Sequence, residues 1–124
     1  MIGADTTFLI DFFKGIPSAV NYMKKNKELL CLCEPVVYEF LCGNLTPEEV
    51  DTFLGFVLQF PVFAFDQNAA LKASSIFREG KKLGKTISHP DAIIAGCYLA
   101  NQVSRIVTRN AQHFSTIPIS FEMY

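Results

Sequence analysis

The sequence has 124 residues, of which 50% are hydrophobic and 19% are charged, and its formal net charge is −1. This composition excludes a disordered chain, and the length fits a single domain spanning residues 1–124. Because the chain has no overall positive charge, an anionic partner has to be held by a local patch or by a metal ion. No apolar run approaches the roughly 20 residues that cross a bilayer, and no targeting signal is recognisable. We therefore expect a cytoplasmic protein with no membrane contact.

Short apolar runs alternate with helical patterns along the whole chain. In the first part of the chain we predict a weak strand at 1–4, helices at 6–13 and 18–26, and a strand at 29–33. Next come a helix from Pro35 to 43, a helix from a Thr46 capping box to about 59, and a buried strand at 60–65. The last part contains a helix capped by Asp66 that runs to about 83, an apolar helix from Pro90 to about 102, a strand at 105–108 and an edge strand within 117–123. This alternation favours an α/β fold with a central parallel sheet and helices on both faces. The four cysteines, none in a CxxC pair, are expected to be buried free thiols.

Four polar residues are predicted to lie at the carboxyl edge of this sheet, where open parallel sheets bind ligands. Asp5 follows the first strand, Glu39 lies one helical turn beyond Pro35, Asp91 opens the helix before the last core strand, and Asn110 follows the strand at 105–108. Each also has a structural interpretation. Asp5 would serve as a helix N-cap, Glu39 as a solvated helix residue, Asp91 as a first-turn acid that complements the helix dipole, and Asn110 as a turn former.

The combination of three carboxylates is more informative than any one of them. Clustered carboxylates repel one another and raise each other's pKa unless a cation offsets the charge. A ligand set made only of oxygens favours Mg²⁺ or Mn²⁺ over zinc, and such a site can support in-line phosphoryl displacement. We therefore predict a divalent metal site.

Four stretches give the chain a resemblance to a known family. They are "ADTTFLIDFFKG" from Ala4, "CEPVVYEFLCG" from Cys33, "HPDAIIAGCYLA" from His89 and "IVTRNAQHF" from Ile106. In this order they resemble the PIN domains, and among them the VapC-type toxin ribonucleases of toxin–antitoxin pairs. The resemblance implies a three-layer α/β/α sandwich and Mg²⁺- or Mn²⁺-dependent endoribonuclease activity.

The resemblance also implies roles for individual residues. Asp5, Glu39 and Asp91 correspond to the metal-binding acids, Asn110 to a fourth catalytic position, and Thr7 to a hydroxyl that orients the first acid or a water. In this scheme a metal-bound water attacks the scissile phosphate and no covalent intermediate forms. The chain departs from many members in having Asn110 where they carry an acid, which puts a second metal in question because an amide adds no charge.

Basic residues near Asp91 suggest how RNA is held. We predict phosphate contacts from Arg78, Lys81, Lys82, Lys85 and Arg109, with a solvated helix end as the alternative for the lysines. Tyr22, Tyr38 and Tyr98 are candidates for base stacking, although packing in the core or at its rim is the simpler interpretation. Asp11 is interpreted as a surface residue, because it is six positions beyond Asp5 and falls on a different helix face.

The resemblance further implies a homodimer and a small VapB-like antitoxin that covers the active site. Exposed apolar side chains of the first two helices, Phe12, Phe13, Tyr22 and Met23, are candidates for such contacts, with core burial as the equal alternative.

Other functional classes remain open. The main one is a PIN-like module that binds RNA or protein without cleaving it. A cysteine hydrolase using Cys97 with His89 or His113 is disfavoured because Cys97 lies on an apolar face. A haloacid-type phosphatase requires Asp-x-Asp after the first strand, whereas Thr6 and Thr7 follow Asp5 here. A receiver-like phosphoacceptor domain requires a lysine after its last strands, and none is identifiable.

Overall fold

A computed structural model describes all residues 1–124 and contains a five-stranded, fully parallel sheet flanked by helices. The strands are β1 (Ile2–Ala4), β2 (Leu30–Cys33), β3 (Val62–Phe63), β4 (Arg105–Val107) and β5 (Ser120–Glu122), in the order β3-β2-β1-β4-β5. The α-helices are α1 (Thr6–Phe13), α2 (Pro17–Asn26), α3 (Glu34–Leu41), α4 (Pro47–Val57), α5 (Gln67–Lys82) and α6 (His89–Ala100), and two 3₁₀ turns span Lys27–Leu29 and Ala111–Phe114. The predicted α/β/α fold with a parallel sheet is confirmed. None of the six α-helices has the length and apolarity needed to span a bilayer.

Helix boundaries follow the local capping chemistry. Thr46 and Glu49 form the expected capping box, in which the backbone N–H of Glu49 donates to Thr46 Oγ1 at 3.1 Å and the N–H of Thr46 to Glu49 Oε1 at 3.0 Å. Asp66 caps α5 by accepting a hydrogen bond from the N–H of Ala69 at 2.9 Å. Helix α6 begins one residue before Pro90, because the hydroxyl of Ser88 accepts the N–H of Asp91 at 3.2 Å.

Small residues allow close packing at the centre of the molecule. A Cβ atom on Gly3 would lie 2.6 Å from the ring of Tyr98, which is fully buried and donates a hydrogen bond from its hydroxyl to the carbonyl of Ala4 at 2.6 Å. Gly96 similarly lets α6 approach α5, since a Cβ there would lie 2.6 Å from Cβ of Ala73. The weak strand signal at the start of the chain therefore reflects the space that Tyr98 occupies.

Two predictions about burial are wrong. The strand predicted at 60–65 is only Val62–Phe63, and Val62 is 36% exposed. The reason is that β3 lies at the sheet edge and pairs only with β2. Cys31, Cys33 and Cys97 are buried free thiols, as predicted, but Cys42 is exposed because it follows the last residue of α3 at the surface.

Candidate functional site

The predicted polar residues converge because β2, β1 and β4 are adjacent parallel strands that end at one edge of the sheet. Asp5 directly follows β1, and Glu39 lies in α3, which begins immediately after β2. Asp91 is in the first turn of α6, and Asn110 lies three residues beyond the last residue of β4. The three central strands therefore bring residues from distant parts of the sequence to the same edge.

Asp5 is 5% exposed and is held by threonine hydroxyls. Its Oδ2 accepts hydrogen bonds from Thr108 Oγ1 at 2.6 Å and from Thr7 Oγ1 at 3.2 Å. Asp5 occupies the N-cap position of α1, but its side chain makes no capping hydrogen bond. The N-cap interpretation therefore does not account for this carboxylate.

The electrostatic environment of Asp5 is unfavourable for an ionised carboxylate. Burial raises the pKa of Asp5 above its usual value, and the negative charge of Asp91 adds to the rise. The hydrogen bond from Thr108, with smaller contributions from the backbone of Thr6 and the hydroxyl of Thr7, acts in the opposite direction without cancelling it. A cation near Asp5 and Asp91 would relieve this penalty.

Glu39 is half-buried, and its Oε1 accepts a hydrogen bond from Thr6 Oγ1 at 2.6 Å. Adjacent threonines at the start of α1 thus contact different acids, Thr6 contacting Glu39 and Thr7 contacting Asp5. Since Glu39 is hydrogen-bonded at a cleft wall, it is not a freely solvated helix residue.

Asp91 and Glu39 line the same open cleft of about 630 Å³, and most of the other lining residues are polar. The side chain of Asp91 is 20% exposed, and its Oδ2 lies 3.6 Å from Nδ1 of His113. Lys85 lines the same cleft. Asp91 therefore presents a carboxylate to an open cleft large enough to admit part of a polar ligand.

Sequence reasoning missed the role of Thr108, which is fully buried between β4 and α1. Its hydroxyl donates to Asp5 and accepts the N–H of Asn110 at 3.0 Å, and it lies 3.3 Å from Thr7 Oγ1. The only available signal was its position as the residue that ends the predicted strand. Asn110 itself is half-buried and contributes its backbone N–H to this network, whereas its side chain makes no hydrogen bond.

The interpretation of Asp11 as a surface residue is wrong. Asp11 is 5% exposed and forms an ion pair with Arg109, with 2.9 Å between Oδ1 and the guanidinium nitrogen. The hydroxyl of Tyr124 also donates to its Oδ2. Asp11 is one helical turn after Thr7, and positions four apart share a helix face, so it lies on the face that Arg109 covers.

The predicted RNA-binding cations are not equally placed. Lys85 lines the cleft, whereas Arg109 is paired with Asp11 and Lys82 lies 3.5 Å from Glu79. Lys81 lies over the ring of Phe77 on α5. Arg78 lines a separate small pocket with His89, and no acid lines that pocket.

The candidate tyrosines and partner-binding residues also separate by burial. Tyr98 belongs to the core, Tyr22 is half-buried, and Tyr38 is 70% exposed. Met23 is in the core, whereas Phe13 is 37% exposed and Phe12 is half-buried. Phe13 lines a groove of about 380 Å³ that reaches Glu39, which we call the Phe13 groove; its apolar wall consists of Ile10, Phe13, Phe40 and Leu45.

The side chains fit a hydrated divalent ion better than a preformed cage. No group of three or more His, Cys, Asp or Glu side chains is arranged closely enough to hold a metal ion by itself. The available donors are carboxylate oxygens, and Mg²⁺ commonly takes one or two carboxylates and keeps several waters. The shared cleft of Glu39 and Asp91, and the repulsion between Asp91 and Asp5, are compatible with that mode of binding.

The cysteine hydrolase alternative has no geometric support. Cys97 is buried, and its thiol lies 3.7 Å from the carbonyl of Ala64. Its pKa is lowered mainly by a hydrogen bond from Cys33, not by a histidine. His89 stacks on Phe77 with 4.4 Å between ring centroids, and His113 faces Asp91.

Comparisons with known proteins identify the fold. No protein-family model matches the sequence, and no curated protein gives a significant match. The structure is similar to a chain of DNA-bound VapBC from Salmonella typhimurium, with a TM-score of 0.84, 19% identity and coverage of 99% of this chain and 98% of that one. It is similar to a chain of a toxin–antitoxin complex from Klebsiella pneumoniae, with a TM-score of 0.80, 22% identity and coverage of 95% and 93%. It is also similar to a chain of FitAcB from Neisseria gonorrhoeae, with a TM-score of 0.82, 20% identity and coverage of 98% and 96%. The chain thus has the PIN-like fold of proteins solved in VapBC and other toxin–antitoxin complexes.

Proposed function

We propose that this protein is a metal-dependent endoribonuclease and the toxin of a toxin–antitoxin pair. The observation that carries the proposal is the placement of Asp5, Glu39 and Asp91 at one edge of the sheet, where the first two are held by threonine hydroxyls. The similarity of the fold to chains of toxin–antitoxin complexes supports the toxin assignment.

In this proposal Asp5, Glu39 and Asp91 hold one or two Mg²⁺ or Mn²⁺ ions. When bound, the ion lowers the pKa of a water and offsets charge that develops on the scissile phosphate. Thr108 and Thr7 hold Oδ2 of Asp5, and Thr6 holds Oε1 of Glu39, so the orientation of each carboxylate is restricted by a hydroxyl partner.

RNA enters through the cleft that contains Asp91. Lys85 is the predicted cation best placed to contact a phosphate there, and the hydroxyl groups that line the cleft add hydrogen-bond donors. Arg78, Lys81 and Lys82 would contact more distant phosphates. Arg109 contributes less to binding because its guanidinium is engaged by Asp11.

The test is cleavage of a panel of structured RNAs with Mg²⁺, with Mn²⁺ or with a chelator. We expect metal-dependent cleavage that is lost in Asp91→Asn. The matched control is Asp51→Asn, which removes an exposed carboxylate from α4 and should leave cleavage unchanged. Cleavage that survives chelation or Asp91→Asn would contradict the proposal.

A second candidate is a PIN-like module that binds RNA or protein without cleaving it. Two observations favour it, namely the uncharged Asn110 and the absence of three ligands already arranged around one metal position. RNA binding by the native chain without cleavage under any of the metal conditions would support this alternative.

The antitoxin is proposed to bind the Phe13 groove and to reach Glu39 from it. An apolar wall beside an acid suits a partner segment with apolar side chains and a basic residue. Co-purification with a small DNA-binding protein encoded next to this chain, weakened by Phe13→Asp, tests the proposal. Light scattering tests the proposed homodimer independently.

A further inference from the structure

Two tyrosine–acid–arginine triads, one with an aspartate and one with a glutamate, flank β4 in different surroundings. In the first, Asp11 receives a hydrogen bond from Tyr124 and pairs with Arg109, just beyond the end of β4. In the second, Glu122 receives a hydrogen bond from Tyr22 and pairs at 2.7 Å with Arg105, the first residue of β4. The two triads therefore allow the same chemical change to be made in two places.

The two triads connect to Asp5 by different routes: the Asp11 triad through Arg109 and the hydroxyl of Thr7, and the Glu122 triad only through the backbone carbonyl of Glu122, which accepts the N–H of Thr108. The backbone N–H of Arg109 donates to Thr7 Oγ1 at 3.1 Å, and Thr7 Oγ1 donates to Asp5 Oδ2 at 3.2 Å. Because a hydroxyl has a single proton, the incoming N–H leaves that proton free for an acceptor such as the Asp5 carboxylate. The position of Arg109 therefore affects how Asp5 is held.

Asp11 fixes Arg109 in this position. Its side chain is 7% exposed, whereas the side chain of Arg109 is 52% exposed, so the buried carboxylate is the ordered member of the pair. Tyr124 holds the other oxygen of Asp11, and its ring packs edge-on against Phe8 of the core. Burial raises the pKa of Tyr124, and the hydrogen bond to Asp11 raises it further, so the hydroxyl stays protonated and remains a donor.

We propose that Asp11, together with Arg109 and Tyr124, is a positioning residue that sets the orientation of Asp5 through Thr7. This inference rests on the proposed function, since it assigns a role toward the same metal-binding acid. Asp11 touches neither the metal nor the RNA. Loss of a direct hydrogen-bond partner of a metal ligand typically lowers metal affinity by about 10- to 100-fold, and Asp11 acts further out, through Arg109 and Thr7, so its effect is expected at the lower end of that range.

The experiment compares Asp11→Asn with Glu122→Gln in the full chain. Both changes remove the carboxylate charge that pairs with an arginine, and both keep an amide oxygen that can accept the hydrogen bond from the tyrosine hydroxyl. The backbone carbonyl of Glu122, which accepts the N–H of Thr108 at 3.1 Å, is retained in the control. Mn²⁺ affinity is measured by the paramagnetic resonance signal of the free ion, and the exchange rate of the Arg109 amide by nuclear magnetic resonance.

We expect Asp11→Asn to weaken Mn²⁺ binding by about tenfold and to accelerate exchange of the Arg109 amide. Glu122→Gln should leave both quantities within about twofold of wild type, because the only link from this triad to Asp5 is the backbone carbonyl of Glu122, which the substitution keeps. Equal effects of the two variants, or an unchanged Arg109 amide in Asp11→Asn, would overturn the inference.

The two readouts separate this inference from the proposed function. A wild-type chain that binds no Mn²⁺ overturns the metal-dependent proposal, and with it the positioning role toward a metal ligand. Mn²⁺ binding by the wild type that is unchanged in both variants overturns only the inference. If Asp11→Asn does not fold, Tyr124→Phe provides the same comparison, because it removes one hydrogen bond to Asp11 and keeps the aromatic ring.

Discussion

The most informative substitution in the site is Thr108→Val, which removes a hydroxyl while keeping the shape of the side chain. The hydroxyl donates to Asp5 Oδ2 at 2.6 Å and accepts the N–H of Asn110 at 3.0 Å. The matched control is Thr108→Ser, which keeps the hydroxyl and removes a methyl group. Since Thr108 is fully buried, neither variant is compensated directly by solvent.

The two variants have different expected magnitudes. A hydrogen bond to a charged group contributes about 1.5–3 kcal/mol, so Thr108→Val should lower the free energy of unfolding by about that amount. For a chain of this size this corresponds to a fall in Tm of about 5–12 °C. Thr108→Ser should lose about 1 kcal/mol for the buried methyl group. If Thr108 acts through the hydrogen bonds of its hydroxyl, Thr108→Val should therefore lower the free energy of unfolding more than Thr108→Ser.

The assay is urea-induced unfolding of both variants at neutral pH, together with Mn²⁺ titration. Thr108→Val should also weaken Mn²⁺ binding by about tenfold or more, because Asp5 loses its shortest hydrogen bond. Thr108→Ser should bind Mn²⁺ like the wild type. If serine is the more destabilising variant, Thr108 acts through packing and the reasoning is refuted.

Three further predictions concern burial and strain. Folding raises the pKa of Asp5. The protonated carboxyl of Asp5 therefore contributes stability below the usual aspartate pKa of about 4, and this contribution is lost as the pH rises through the pKa of Asp5 in the folded chain. In metal-free urea unfolding, the free energy of unfolding of Asp5→Asn should therefore rise relative to that of the wild type as the pH increases from 4 to 7.5. A difference between the two chains that does not change with pH would contradict this. Gly3→Ala should lower the free energy of unfolding by about 1–3 kcal/mol because the added Cβ would clash with Tyr98. The control Gly55→Ala, at an open helix position, should raise the free energy of unfolding by about 0.5–1 kcal/mol. Equal changes in the two variants would refute the packing argument. A disulfide reagent should titrate Cys42 alone in the folded chain and four thiols in denaturant; rapid reaction of a second native thiol would contradict the burial pattern.

The parallel orientation of the strands was predictable because the sequence alternates apolar runs with helical patterns, and parallel strands bring their carboxyl ends together. The edge position of β3 was not, because strand order is a tertiary property that the run at 60–65 does not encode. The same apolar residues would form a longer, buried strand in the middle of a sheet.

The positions of the acids were predictable, whereas the groups that hold them were not. Asp5, Glu39 and Asp91 were identified from their places after strands and in first helical turns. Thr108 contacts Asp5 across 103 positions in sequence, and Asp11 contacts Arg109 across 98. Such contacts depend on which strand lies next to β1. Local sequence patterns do not encode this, so they predicted only that Thr108 ends a strand and that Asp11 lies at the surface.

The measurement that tests the account most directly is a Mn²⁺ titration of the wild-type chain and of Asp5→Asn, Glu39→Gln and Asp91→Asn. The account predicts stoichiometric binding by the wild type and markedly weaker binding in each variant, with every variant still folded. Absence of binding in the wild type, or affinity that is indifferent to all three substitutions, would contradict a shared metal site at this edge of the sheet.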